Sequence, residues 1–203
     1  MKIKAYIFAV MILAMLAVPQ VRAESSPSSE FQVKAAFLFN FLMFIDWPAE
    51  KMGDNSRPMI IGLIGDDQFG NAFDPVKDKM VNNRKVIIKR FKKLEEIKKL
   101  DKAAQDKEIE AIRGCHLLFI CDSEEKILKE IFDLVKDNNV LTVADIPGFL
   151  ESGGMINFLV EEGKIRFEIN DTVASQTKLN IRSQLLRLAK RVIGEKSAKE
   201  AKH

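Results

Sequence analysis

The chain has 203 residues, 47% of them hydrophobic, with 32 basic and 29 acidic side chains and a formal net charge of +3. That excess lies in Lys2, Lys4 and Arg22 near the start, where no acid offsets it, so the remainder is neutral and the charge does not indicate affinity for nucleic acid. The apolar content is enough for a substantial core without the disulfides that very small secreted domains need.

Lys2 and Lys4 precede an apolar run from Ala5 to Val18, and Val21-Arg22-Ala23 closes it with small residues, so residues 1–23 read as a cleaved secretory signal peptide. The run is short for a bilayer span; an uncleaved anchor is the alternative. Residues 24–30 are serine-rich and read as a disordered lead-in. The remainder, residues 31–194, has the size of one domain, and residues 195–203 read as a charged, frayed tail.

From Phe31 to Trp47 the chain is apolar except at Gln32, Lys34, Asn40 and Asp46, and Pro48 stops it. A helix apolar on nearly every side is buried or covered by a partner. Met59 to Ile64 reads as a strand closed by Gly65-Asp66-Asp67. Asp67 to Met80 reads as weak helix or loop, and Val86 to Arg90 as a second strand. Lys92 to Arg113 has Lys and Glu at helical spacing and reads as a solvated helix. His116 to Ile120 is a third strand, followed by a helix from Ser123 to Lys136 that Asp122 and Glu125 can cap. Val140 to Val143 is a fourth strand, broken by Asp145, Pro147 and Gly148. Met155 to Val160 and Lys164 to Ile169 flank Glu161-Glu162-Gly163 as a hairpin. Asn170 or Asp171 can cap a short segment. Leu185, Leu188, Ala189 and Val192 share one face of a last helix that Gly194 ends.

Strands alternating with helices predict an α/β three-layer sandwich with a mostly parallel central sheet, an antiparallel edge hairpin and flanking helices. The chemistry is sparse. Gly62, Gly65 and Gly70 do not match a dinucleotide fingerprint or a phosphate loop, and no serine-hydrolase elbow occurs. Adjacent Cys115 and His116 point to opposite faces of a strand, so they form neither a metal-ligand pair nor a nucleophile–base pair. Cys115 and Cys121 on one strand would lie roughly 20 Å apart, against the about 4.4–6.8 Å that a disulfide requires. They read as small buried hydrophobes, with a redox-sensitive or intermolecular thiol as the alternative. No metal, cofactor or enzymatic activity is expected. One cleft is expected at the strand carboxyl ends, lined by Asp66, Asp67, Cys121, Asp122 and Asp145, where a small cation-bearing ligand or a partner loop would fit; helix caps and turns are the plainer use of those residues.

The succession FQVKAAFLFNFLMFIDWP, IGLIGDD-x-FG, RGCHLLFI, VLTVAD-x-PGF, GGMINFLVEEGKIRFEIN and LLRLAK, from Phe31 to about Ile193, resembles the YfiR/HmsC-like family of small periplasmic proteins. The resemblance implies an α/β sandwich that dimerises, located in the periplasm. It also implies a non-enzymatic repressor that binds the periplasmic domain of an inner-membrane diguanylate cyclase. Such a repressor lowers cyclic-di-GMP and biofilm formation, and an outer-membrane lipoprotein can act as a second partner. No residue from Asp145 to Ser152 is a cysteine, so the disulfide-dependent regulation of some relatives is not carried over. The expected partner-binding residues are Phe37, Phe41, Phe44 and Trp47 of the first helix and Pro147, Gly148, Phe149 and Leu150 of the bend. A periplasmic small-molecule sensor or binding protein that uses the strand-end cleft is the alternative function.

Overall fold

The computed structural model describes residues 27–194 except Asn55 and Asp78; the expected leader, the first residues of the lead-in and the tail lie outside the described residues. Helix α1 runs Pro27–Phe44, so it begins inside the stretch expected to be disordered. Proline suits a first helical position because its missing N–H would be unpaired there anyway, and Glu30 in the first turn complements the helix dipole. The helix ends at Phe44 and does not reach Trp47. Ile45–Asp46 leaves as strand β1 to pair antiparallel with Asn180–Ile181, and the Arg182 N–H donates to the Phe44 carbonyl at 3.0 Å. A single turn, α2 (Ala49–Met52), follows.

Strand β2 (Met59–Ile64) matches its apolar run. Among the described residues, the loop after it holds a 3-10 turn at Asp74–Val76. Next comes a hairpin that periodicity did not reveal, β3 (Met80–Val81) with β4 (Arg84–Phe91), turning on Asn82 and Asn83 at φ 49° and 61°. Two consecutive left-handed residues match the twist of paired strands, and asparagine tolerates that conformation better than most residues. The charged segment is two helices, α3 (Leu94–Ile97) and α4 (Lys102–Arg113), divided at Asp101. Asp101 caps α4, its Oδ1 accepting from the Ala104 N–H at 3.0 Å. Asp101→Ala should therefore cost about 1 kcal/mol, read as a lower urea midpoint with an unchanged slope.

Strand β5 (Leu117–Ile120) leads into a 3-10 segment, Asp122–Ile127, and only then into α5 (Leu128–Val135). The expected capping pair does not form. Glu124 turns inward instead and accepts the Leu94 N–H at 3.1 Å, tying this connection to α3. Strands β6 (Leu141–Ala144), β7 (Ile156–Glu161) and β8 (Lys164–Asn170) follow, the last two joined through Glu162 and Gly163 at φ 51° and 72°. Asn170 caps α6 (Asp171–Gln176), its side chain accepting from the Val173 N–H. After β9 (Asn180–Ile181), the expected last helix shrinks to α7 (Ser183–Leu186). Arg191–Ile193 then becomes β10, parallel to β8: edge pairing outweighs a helical pattern supported by few apolar positions.

One sheet has the order β3-β4-β2-β5-β6-β7-β8-β10. Its centre, β4-β2-β5-β6-β7, is parallel throughout. The expected α/β class with a mostly parallel sheet is present, although the β7–β8 hairpin sits one strand in from the edge because β10 pairs beyond it. One face packs under α1, α6 and α7, with Phe41, Phe158 and Phe167 at its centre. The other face packs under α3, α4 and α5, with Ile112, Leu118, Ile131 and Phe149 inside. The arrangement is helix–sheet–helix in three layers.

Candidate functional site

The crossovers decide where a site forms. From β2 the chain steps outward to β4 on one side, and from β5 it steps to β6 on the other. The β2–β4 connection places Phe69, Phe73 and Val76 on the α1 face. The β5–β6 connection places Leu128, Ile131 and Val135 on the opposite face. The two connections part between β2 and β5, and this topological switch point opens a crevice beyond the strand carboxyl ends.

A cavity of about 280 Å³ occupies that crevice. The ends of β2, β5 and β6 bring Asp66, then Cys121 with Asp122, and then Asp145 to its wall. Phe119, Gln68 and Phe69 add to it, and the N-terminal half of α1 closes it with Glu30, Phe31 and Lys34. Four of the five residues expected in a strand-end cleft therefore meet. Asp67 does not line the cavity: its carboxylate accepts the Phe69 N–H at 2.8 Å and binds the Arg90 guanidinium.

Lys34 is the centre of the site and was not singled out by sequence reasoning. It is only 2% exposed, yet its ammonium binds Glu30 at 2.5 Å and Asp145, and lies 5.0 Å from the centre of the Phe31 ring. Burial works against its charge, but the bonds to Asp145 and Glu30 outweigh that and hold its pKa above the ordinary lysine value. The available signal was a lone lysine inside an apolar helix with a glutamate one turn earlier. Asp145, 111 positions away, was out of local view.

The two thiols are poor nucleophiles. Cys121 is buried in the wall of the cavity, and its pKa is pushed up to about 12 by burial and by the carboxylates of Asp67, Asp122, Glu124 and Asp66. Burial likewise pushes Cys115 up to about 12, against the opposing charges of Lys51 and Lys89. Both are free and lie in different cores, Cys115 on the α4 face and Cys121 on the α1 face. A thiolate is the reactive form, so neither is poised for attack near neutral pH. Among the described residues, no group of three or more His, Cys, Asp or Glu is arranged to hold a metal ion.

The expected partner-binding residues divide by burial. Phe41 is fully buried, stacked on Phe158 and edge-on to Phe167. Phe37, Phe44 and Trp47 are half-buried. Trp47 has a structural role besides, its indole N–H donating to the Asn139 carbonyl at 3.1 Å. In the bend, Pro147 and Gly148 are exposed, but Phe149 is 0% and Leu150 2% exposed. Phe149 and Leu150, expected to contact a partner, are therefore core residues. The bend is strapped down: Asn157 accepts the Ile146 N–H, Thr142 accepts the Met155 N–H, and Asn170 donates to the Leu150 carbonyl. With Gly148 at φ 72°, the chain reverses and carries the Phe149 ring inward.

Among the described residues, no helix is long and apolar enough to cross a membrane. No curated protein matches the chain. A crystal structure described as a conserved domain protein from Vibrio cholerae O1 biovar El Tor is similar in fold, with a TM-score of 0.53 at 9% identity. The match covers 80% of this chain and 60% of that one. The family description YfiR/HmsC-like matches residues 31–190. That match takes in α1 from Phe31 onward, all three strands that end at the cavity, and the β7–β8 hairpin. The chain belongs to the YfiR/HmsC-like family.

Proposed function

We propose that the protein is a non-enzymatic periplasmic regulator that binds and represses a membrane diguanylate cyclase, lowering cyclic-di-GMP and restraining biofilm formation. The observation that carries this reading is the family match over residues 31–190. Repression of this kind requires tighter binding to the inactive state of the cyclase than to its active state. The partner surface we propose is the half-buried margin of α1 at Phe37 and Phe44, with half-buried Trp47 just beyond the helix and exposed Pro147 and Gly148.

Deleting the gene should raise cellular cyclic-di-GMP and surface attachment, and supplying it in trans should restore both. The purified protein should also capture the isolated periplasmic domain of a membrane diguanylate cyclase from the same cells. Unchanged cyclic-di-GMP in the deletion strain, with no cyclase domain captured, would remove the proposal.

A further inference from the structure

The cavity at the switch point combines features that together select one class of small molecule. Its floor is aromatic: the Phe31 and Phe119 rings each meet Phe69 edge-on, with centroids 5.1 Å and 5.0 Å apart. Its wall holds four carboxylates, Glu30, Asp66, Asp122 and Asp145, and one cation, Lys34. Lys93 reaches Asp66 from outside at 2.7 Å, so two negative charges remain uncompensated around the space.

The protein itself shows how this site treats an ammonium group. Lys34 is held almost without solvent by two carboxylates and the face of a phenyl ring, the arrangement used for cation recognition generally. We propose that the cavity binds a small organic ammonium ion with a compact apolar body. The ammonium is held by Asp122, with Asp66 exchanging its exposed Lys93 partner for it, and the apolar part packs on Phe31, Phe69 and Phe119. Phosphates and carboxylates meet repulsion there. The volume, about 280 Å³, lies below the roughly 300 Å³ at which drug-sized pockets begin, so the occupant is small.

The test uses the purified protein and three probes that share a phenylethyl body: protonated 2-phenylethylamine, neutral 2-phenylethanol and anionic 3-phenylpropanoate. At ten times its dissociation constant the amine should raise Tm by about 3 °C or more, and the other two should not. Asp66 and Asp122 are both exposed, so Asp66→Asn with Asp122→Asn should leave the unliganded Tm unchanged and weaken amine binding tenfold or more by calorimetry. Three results would each overturn the proposal: no response to the amine up to 50 mM (on the order of the weakest useful affinity), an equal response to the alcohol, or undiminished binding by the double variant. No cyclase enters these measurements, so their failure is separate from failure of the regulator reading.

Discussion

Phe149→Ala should destabilise the protein by about 3–5 kcal/mol, the range for removing a fully buried phenyl ring from a core that cannot collapse around the space. The ring is 0% exposed and meets Phe132 edge-on with centroids 5.5 Å apart. It also fills the space that a side chain at Gly154 would need: a Cβ there would fall 2.1 Å from the Phe149 ring. The Gly154 N–H donates to the Phe149 carbonyl at 2.9 Å, which holds the backbone in that close approach. Gly154→Ala should therefore be damaging as well, through overpacking at the same place. In thermal unfolding the Phe149→Ala loss corresponds to a fall in Tm of roughly 10 °C for a domain of this size. A variant that unfolds within about 1 kcal/mol of wild type would contradict the placement of the ring. Partner binding is better examined at Pro147, which is exposed and whose replacement should change stability by no more than about 0.5 kcal/mol. Weaker binding by Phe149→Ala would report loss of fold as much as loss of contact.

Lowering the pH from 6.5 to 4 should remove about 3 kcal/mol of stability through His116 alone. His116 is 5% exposed, and its Nδ1 accepts the Ile60 N–H at 3.1 Å, so the neutral ring carries its proton on Nε2. A second proton would set Nδ1–H against the Ile60 N–H. Its pKa is lowered from 6.5 to about 4, by burial first and then by the charges of Lys51 and Arg84. Between those values the unfolded chain binds the proton and the folded chain does not, so stability is complete above 6.5 and falls as the pH drops toward 4. His116→Asn leaves an acceptor near the Ile60 N–H and removes the titration. Urea unfolding across this range should show a flattened acid limb in the variant; an identical slope in both proteins would refute the role of His116. Lys51 acts in the alkaline range. Its ammonium donates to the Arg113 and Asn138 carbonyls at 2.8 Å each, but burial lowers its pKa to about 8. Its contribution therefore makes stability rise with pH from about 8 toward 10.5.

Much of the sheet was legible locally. Met59–Ile64, Leu117–Ile120 and Leu141–Ala144 are short apolar runs closed by Gly, Asp or Cys, and their boundaries moved by at most one residue between pattern and structure. Buried parallel strands are apolar on both faces, so composition alone marks them. The Asn82-Asn83 hairpin was missed because β3 has two residues, too few for alternation to show. The last helix failed for a related reason. Leu185 and Leu188 suggested helical spacing, but Arg191–Ile193 found a free strand edge at β8, and edge availability is a property of the assembled sheet.

The candidate site divides along the same line. Asp66, Cys121, Asp122 and Asp145 were expected together because strand ends in an α/β sheet share one side, and that follows from the order of elements. Glu30, Phe31 and Lys34 were not expected, because a nearly all-apolar helix has no face that its own sequence assigns to a cleft. The sequence by itself determined the longer strands β2 and β4 to β8, the acidic residues at the strand ends and the family membership. These depend on local periodicity and on residue order. The tertiary structure alone decided that Phe149 turns inward and that Lys34 meets Asp145 across 111 positions. Burial and ion pairing at long range depend on which faces meet, and no local pattern records that.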